Sequence, residues 1–140
     1  MMRWTHRVGV LAILVVLVCA VRTQGDPEKT PTIKEIMGKA HKGPNSILPN
    51  VGKDLRDTNG PDWDEIKRSA RELVSLGKAL SKNAPPKGEK ASWQKLTKAY
   101  TQGAESLLTA AEKQNKSGAE TAQKQLQNSC AGCHKAHRPG

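Results

Sequence analysis

The chain of 140 residues contains no phenylalanine, and aromatic residues make up only 3% of it. Beyond residue 25 the aromatics are Trp63, Trp93 and Tyr100. A core so poor in large side chains is thin on its own. Cysteine is scarce as well, at Cys19, Cys130 and Cys133. Cys19 lies in an N-terminal apolar run, and the other two stand three residues apart, so no thiol is left for a structural disulfide. Acids are the minority, with 13 Asp and Glu against 23 Lys and Arg and a formal charge of +10. The basic residues are mostly lysines scattered among glutamates, without Arg-rich or aromatic-interleaved stretches, which argues against nucleic-acid binding. We find no nucleophile, base and oxyanion arrangement and no paired carboxylates at a plausible site, so an enzyme is not expected. Internal repeats and low-complexity segments are absent.

The N-terminus is informative. Arg3 and Arg7 form a positive flank, Val8 to Val21 is uncharged and mostly apolar, and Ala20 and Gly25 offer cleavage positions. This is the pattern of a secretory signal peptide, with an apolar part short for a membrane span. An uncleaved anchor is the alternative. Val18 stands before Cys19 where a lipid-attachment signal wants a small residue, so lipidation is not expected. Residues 1–25 therefore read as the signal and residues 26–140 as one domain, periplasmic and without a membrane span after cleavage. Arg3, Arg7 and Arg22 leave with the signal and no acid does, so +10 falls to +7. That charge reads either as solvated helix faces or as attraction to an acidic partner.

The domain reads as four helices separated by Pro/Gly breaks. Thr32 with Glu35 makes a capping box that opens the first, which stops at Gly43-Pro44. Asp62 with Glu65 opens the second, whose apolar stripe is Ile66, Ala70, Leu73, Val74, Leu76 and Leu80. Gly77 interrupts that stripe, either as a tolerated weak spot or as a point of close approach. Asn83 and Pro85-Pro86 end it. The third runs from about Ser92 to Gln114, with Trp93, Leu96, Tyr100, Ala104, Leu107, Leu108 and Ala111 inward. Ser117 with Glu120 opens the fourth, which carries Ala119, Ala122, Leu126, Cys130 and Cys133 and ends near His137. Short connections favour antiparallel neighbours, so the fold class expected is all-α, an antiparallel up-down-up-down four-helix bundle. The connection from Gly43 to Pro61 is longer, and Leu48, Val51 and Leu55 are spaced to cover the bundle, as a short helical turn would.

The final helix holds the most specific signal. Cys130-Ala131-Gly132-Cys133-His134 is the C-x-x-C-H signature of c-type haem attachment. Each thiol can add to a haem vinyl group, and the adjoining imidazole then reaches the iron. On a helix the three side chains fall within an arc of about 100°, so all can face one porphyrin. A buried porphyrin would also supply apolar area that the core lacks. One covalent haem c with its iron is therefore expected on the C-terminal helix, with His134 as proximal ligand.

A four-helix chain with this motif on its last helix resembles the class II cytochromes c, the cytochromes c-prime and their low-spin relatives. Besides Cys130, Cys133 and His134, the resemblance rests on His137 at an often aromatic position and Arg138 at the usual arginine. Ile33-Lys34-Glu35-Ile36-Met37 is similar to the family's distal segment. The Arg-Gln pair frequent ahead of the distal residue is not evident, which leaves propionate contacts unassigned, with Arg138 as a candidate for that role or for support of the motif. The resemblance implies electron transfer with a redox partner protein in six-coordinate members, binding of small gases such as nitric oxide in five-coordinate ones, and leaves a homodimer open.

Met37 is the expected ligand opposite His134, since a thioether suits haem iron and raises its potential. Core packing is its other reading. His41, one turn later on the same face, is the alternative ligand, or else interacts with the helix end. His137 falls about 20° from Cys130 in projection, alongside a haem and not across it. A zinc site of Cys130, Cys133, His137 and His41 is a rival from another class, that of a zinc-stabilised interaction module, although it leaves His134 unused. A thioredoxin-like pair would want the opposite end of a helix.

Overall fold

Thr32 opens the first helix as a reciprocal cap. Its hydroxyl accepts from the Glu35 N–H at 3.3 Å, and the Glu35 carboxylate accepts from the Thr32 N–H at 2.7 Å. The computed structural model describes residues 29–139, and the expected signal peptide lies outside them. The helices are α1 (Ile33–His41), α2 (Ile47–Asp54), α3 (Trp63–Lys82), α4 (Lys90–Glu112) and α5 (Lys116–His137), and among the described residues there is no strand. No described helix is long and apolar enough to cross a membrane.

Five helices stand where four are expected. The extra one, α2, replaces the short turn expected in the first connection and spans 8 residues. It forms because Leu48, Val51 and Leu55 come round to one face and are each no more than 2% exposed. Pro49 is tolerated because it falls in the first turn, where a missing N–H breaks no helical bond. Two starts also move. Asn115, not Ser117, caps α5, its side chain accepting from the Gly118 N–H at 3.0 Å. The helix α4 begins at Lys90, two residues before the expected Ser92.

The helix α3 packs along α4, and α4 along α5, while α1 and α2 lie against α3, and α2 also touches α5. Ile66, Ala70, Leu73, Ala104, Leu107 and Leu126 meet in a buried apolar core, with Leu48 and Val51 closing it from α2. Gly77 is a point of close approach. A Cβ there would stand 2.6 Å from Thr101 Oγ1 and 3.2 Å from Thr101 Cα.

Candidate functional site

The residues singled out on α1 and α5 meet at one cavity. Its volume is about 830 Å³, within the range of ligand pockets. The helix α5 contributes Cys130, Cys133 and His134; α1 contributes Met37 and His41; and Arg138 follows α5 at the rim. Leu80, Leu96 and Trp93 make the floor largely apolar. Cys130 and Cys133 are half-buried and His134 is exposed, as their helical spacing requires of side chains that face a shared opening. Burial raises both thiols above their ordinary value, and for Cys133 the neighbouring Cys130 adds to the rise. Both are therefore protonated at neutral pH and free of a disulfide.

Met37 is half-buried against the core, one residue before Gly38. Gly38 lines the cavity, and a Cβ built on it would meet nothing within 4 Å. A glycine inside a helix costs about 1 kcal/mol relative to alanine. Here no neighbouring side chain and no unusual backbone angle accounts for it. What it leaves is open wall beside Met37.

His41 and Tyr100 form a polar pair on the same wall. The Tyr100 hydroxyl lies 3.0 Å from His41 Nε2, and the rings meet edge to face at 5.5 Å. Burial lowers the His41 pKa, with His134 adding a smaller push, so the imidazole is neutral at pH 7. Burial likewise holds the Tyr100 phenol well above its ordinary range.

His137 has a task that the spacing argument misses. It lines the cavity but is only 2% exposed. Its Nδ1 lies 2.8 Å from the Lys87 carbonyl and so carries a hydrogen, since a carbonyl only accepts. Its Nε2 meets Ser92 Oγ at 3.1 Å, and its ring stands edge-on to Trp93 at 5.3 Å. The connections continue beyond it. Trp93 Nε1 donates to the Asn83 carbonyl at 2.8 Å, and Asn83 Nδ2 donates to the Pro31 carbonyl at 3.1 Å. The end of α5 is thus tied through the α3–α4 connection to Pro31, the residue before the Thr32 cap of α1.

The zinc arrangement is not assembled. Among the described residues no group of three or more His, Cys, Asp or Glu side chains is gathered to hold a metal ion, and the His137 ring is committed to Lys87 and Ser92. No protein-family model, curated protein or solved structure matches the chain. The reading of the site rests on its own residues.

Proposed function

We propose that the chain is an exported mono-haem c-type cytochrome that carries electrons. The observation that carries this is the shared cavity: Cys130, Cys133 and His134 open onto the same apolar hollow as Met37 from another helix. The residues fit the group. Two protonated thiols and an exposed imidazole lie on α5, a thioether sulfur lies on α1, and Gly38 leaves open space on the cavity wall beside it. A haem bound there supplies the one-electron Fe(II)/Fe(III) couple. Cys130 and Cys133 would hold it by thioethers and His134 would be the proximal ligand. Met37 would be the second ligand in preference to His41, because His41 already engages Tyr100 through Nε2. The apolar side chains of Leu80, Leu96 and Trp93 would exclude water from a group bound there, which favours a small reorganisation on electron exchange. Arg138 at the rim stands where a carboxylate of the group can pair with it.

In this reading α1, α3, α4 and α5 are the antiparallel up-down-up-down bundle, with α2 as a lid over its side. A gas-binding protein with an open sixth position is the second reading. It is favoured by the His41–Tyr100 pair, since hydrogen-bond donors near the vacant side of a haem decide what binds there. One optical spectrum of the reduced protein, with and without carbon monoxide, separates the two. The carrier gives a low-spin spectrum that carbon monoxide changes slowly. A high-spin spectrum that shifts at once assigns the site to gas binding, and a spectrum without haem bands rejects both.

A further inference from the structure

The positive charge of the described residues is concentrated in the three stretches of chain that contribute the cavity wall. These stretches, residues 29–43, 80–100 and 129–139, hold eleven Lys and Arg but only the acids Glu35 and Glu89, a balance of +9. Lys34, Lys42 and Arg138 are on the cavity wall itself, and Lys29, Lys39 and Lys82 are on a neighbouring hollow between α1 and α3. The other described residues hold nine basic and nine acidic side chains, a balance of zero. All eleven basic residues of the cavity segments are exposed. Among the ion pairs of the described residues, Lys39 with Glu72 is the one that involves any of the eleven. Elsewhere Lys67, Arg68 and Arg71 each sit against a carboxylate.

Helix stability explains part of this placement. Lys39, Lys42, Lys82, Lys135 and Arg138 stand at the C-terminal ends of α1, α3 and α5, where the dipole favours positive charge. It does not explain Lys90. The first turn of α4 contains Lys90 and no acid, and its N-cap Glu89 makes no side-chain capping bond. Positive charge at a helix N-terminus opposes the helix dipole. Lys90 is kept there against the local preference.

We propose that this end of the molecule is the docking face for an acidic protein, which covers the cavity mouth when it binds. A one-signed patch around a low-dielectric hollow focuses the field and speeds encounter with a partner of opposite sign. Two haem propionates would leave the balance strongly positive. A membrane surface is a poorer occupant. Among the described residues Trp63 is half-buried, Trp93 and Tyr100 are buried, and no Leu, Ile, Val or Met is fully exposed. The face thus has no aromatic or large apolar anchor of the kind that settles a protein into an interface. The inference rests on the carrier reading only for what passes between the two proteins; the attraction needs no haem.

The test titrates the isotope-labelled holoprotein with an acidic plant-type ferredoxin as probe, following backbone amide shifts at low salt. Shift changes should fall within residues 29–43, 80–100 and 129–139 and vanish as salt screens the charges. Lys34→Glu with Lys90→Glu should slow association about tenfold or more. Lys90→Glu should at the same time raise thermal stability, because it suits the helix dipole, so lost binding is not lost folding. Lys53→Glu with Lys113→Glu makes the same charge change elsewhere and should leave association within about twofold. Equal losses from both double variants, shifts spread over residues 44–79 and 101–128, or no binding at low salt overturns the proposal. Tighter binding to anionic phosphatidylglycerol vesicles through the same residues also overturns it, since the face then belongs to a lipid surface. Charge-dependent ferredoxin binding by a chain that takes up no haem would sink the carrier reading and leave the docking face standing.

Discussion

Gly38 and Gly77 both interrupt helices, and their surroundings give them opposite meanings. At Gly77 a Cβ would press on Thr101 backbone and side chain. Alanine there gains about 1 kcal/mol of helix propensity but overpacks the α3–α4 contact at a cost of about 1–3 kcal/mol. Gly77→Ala should therefore lower the thermal midpoint. At Gly38 a Cβ meets open space. Gly38→Ala should stabilise the haem-free chain by up to about 1 kcal/mol while reducing haem loading or shifting the reduced spectrum. Identical loading and spectrum would show that Gly38 leaves room for nothing. Beside it, Met37→Ala should turn a low-spin protein high-spin, speed carbon monoxide binding and lower the potential, because the electron-accepting thioether is gone. A spectrum untouched by that change makes Met37 a packing residue. A low-spin spectrum lost only in His41→Ala makes the second ligand a histidine.

At the level of elements, what could be read in advance is what short-range chemistry decides. The Thr32–Glu35 box lies within one turn, so its residues announce the start of α1 without help from the rest of the fold. Thr32→Ala should cost about 1 kcal/mol in chemical denaturation. The hydrogen bonds from Thr32 hold the Glu35 carboxyl below its ordinary value of 4.5. That contribution is complete above the ordinary value and is lost as pH falls through the lowered one, so Glu35→Gln should flatten the acid side of the stability profile. The start of α5 is missed because Ser117 and Glu120 imitate a capping box two residues beyond the true cap, Asn115. The helix α2 is underread because Pro49 and Gly52 suggest loop, and only burial against α3 and α5 makes a helix of it.

The tie between His137 and the Lys87 carbonyl joins residues 50 apart, and no local pattern forecasts it. Gly88 is the trace it leaves. Its φ is +77°, and a Cβ there would stand 2.8 Å from the Ala136 carbonyl oxygen. Gly88→Ala should destabilise the protein by about 1–2 kcal/mol from backbone conformation alone, with the clash adding to it. His137→Phe keeps the ring and loses both hydrogen bonds. It should loosen the end of α5, seen as faster amide exchange there and a broadened reduced spectrum in the loaded protein. Unchanged exchange would mean that the tie does not hold the helix end.

On the scale of the whole molecule, one dimension hides what three reveal. Along the chain the lysines look evenly mixed with glutamates, and the charge reads equally well as solvated helix faces. Folding makes the acid-poor stretches before α2, around the α3–α4 connection and at the end of α5 share the walls of one cavity, and those stretches carry +9 against zero for the other described residues. The same folding sets Met37 on the wall of the cavity that the motif residues line, across more than 90 positions of sequence. The motif itself was legible, since its chemistry sits in five consecutive residues. The wall opposite it was legible only as far as a resemblance carried it.

The central claim is that Cys130 and Cys133 bind a haem covalently. Its most direct test is mass spectrometry of protein matured with the c-type attachment machinery, after acid-acetone extraction. The peptide spanning Cys130 to His134 should carry the added mass of one haem, and replacing both cysteines should abolish it while leaving the helical content intact. A haem that extracts freely, or that peptide recovered at its unmodified mass beside stoichiometric zinc, would contradict the account.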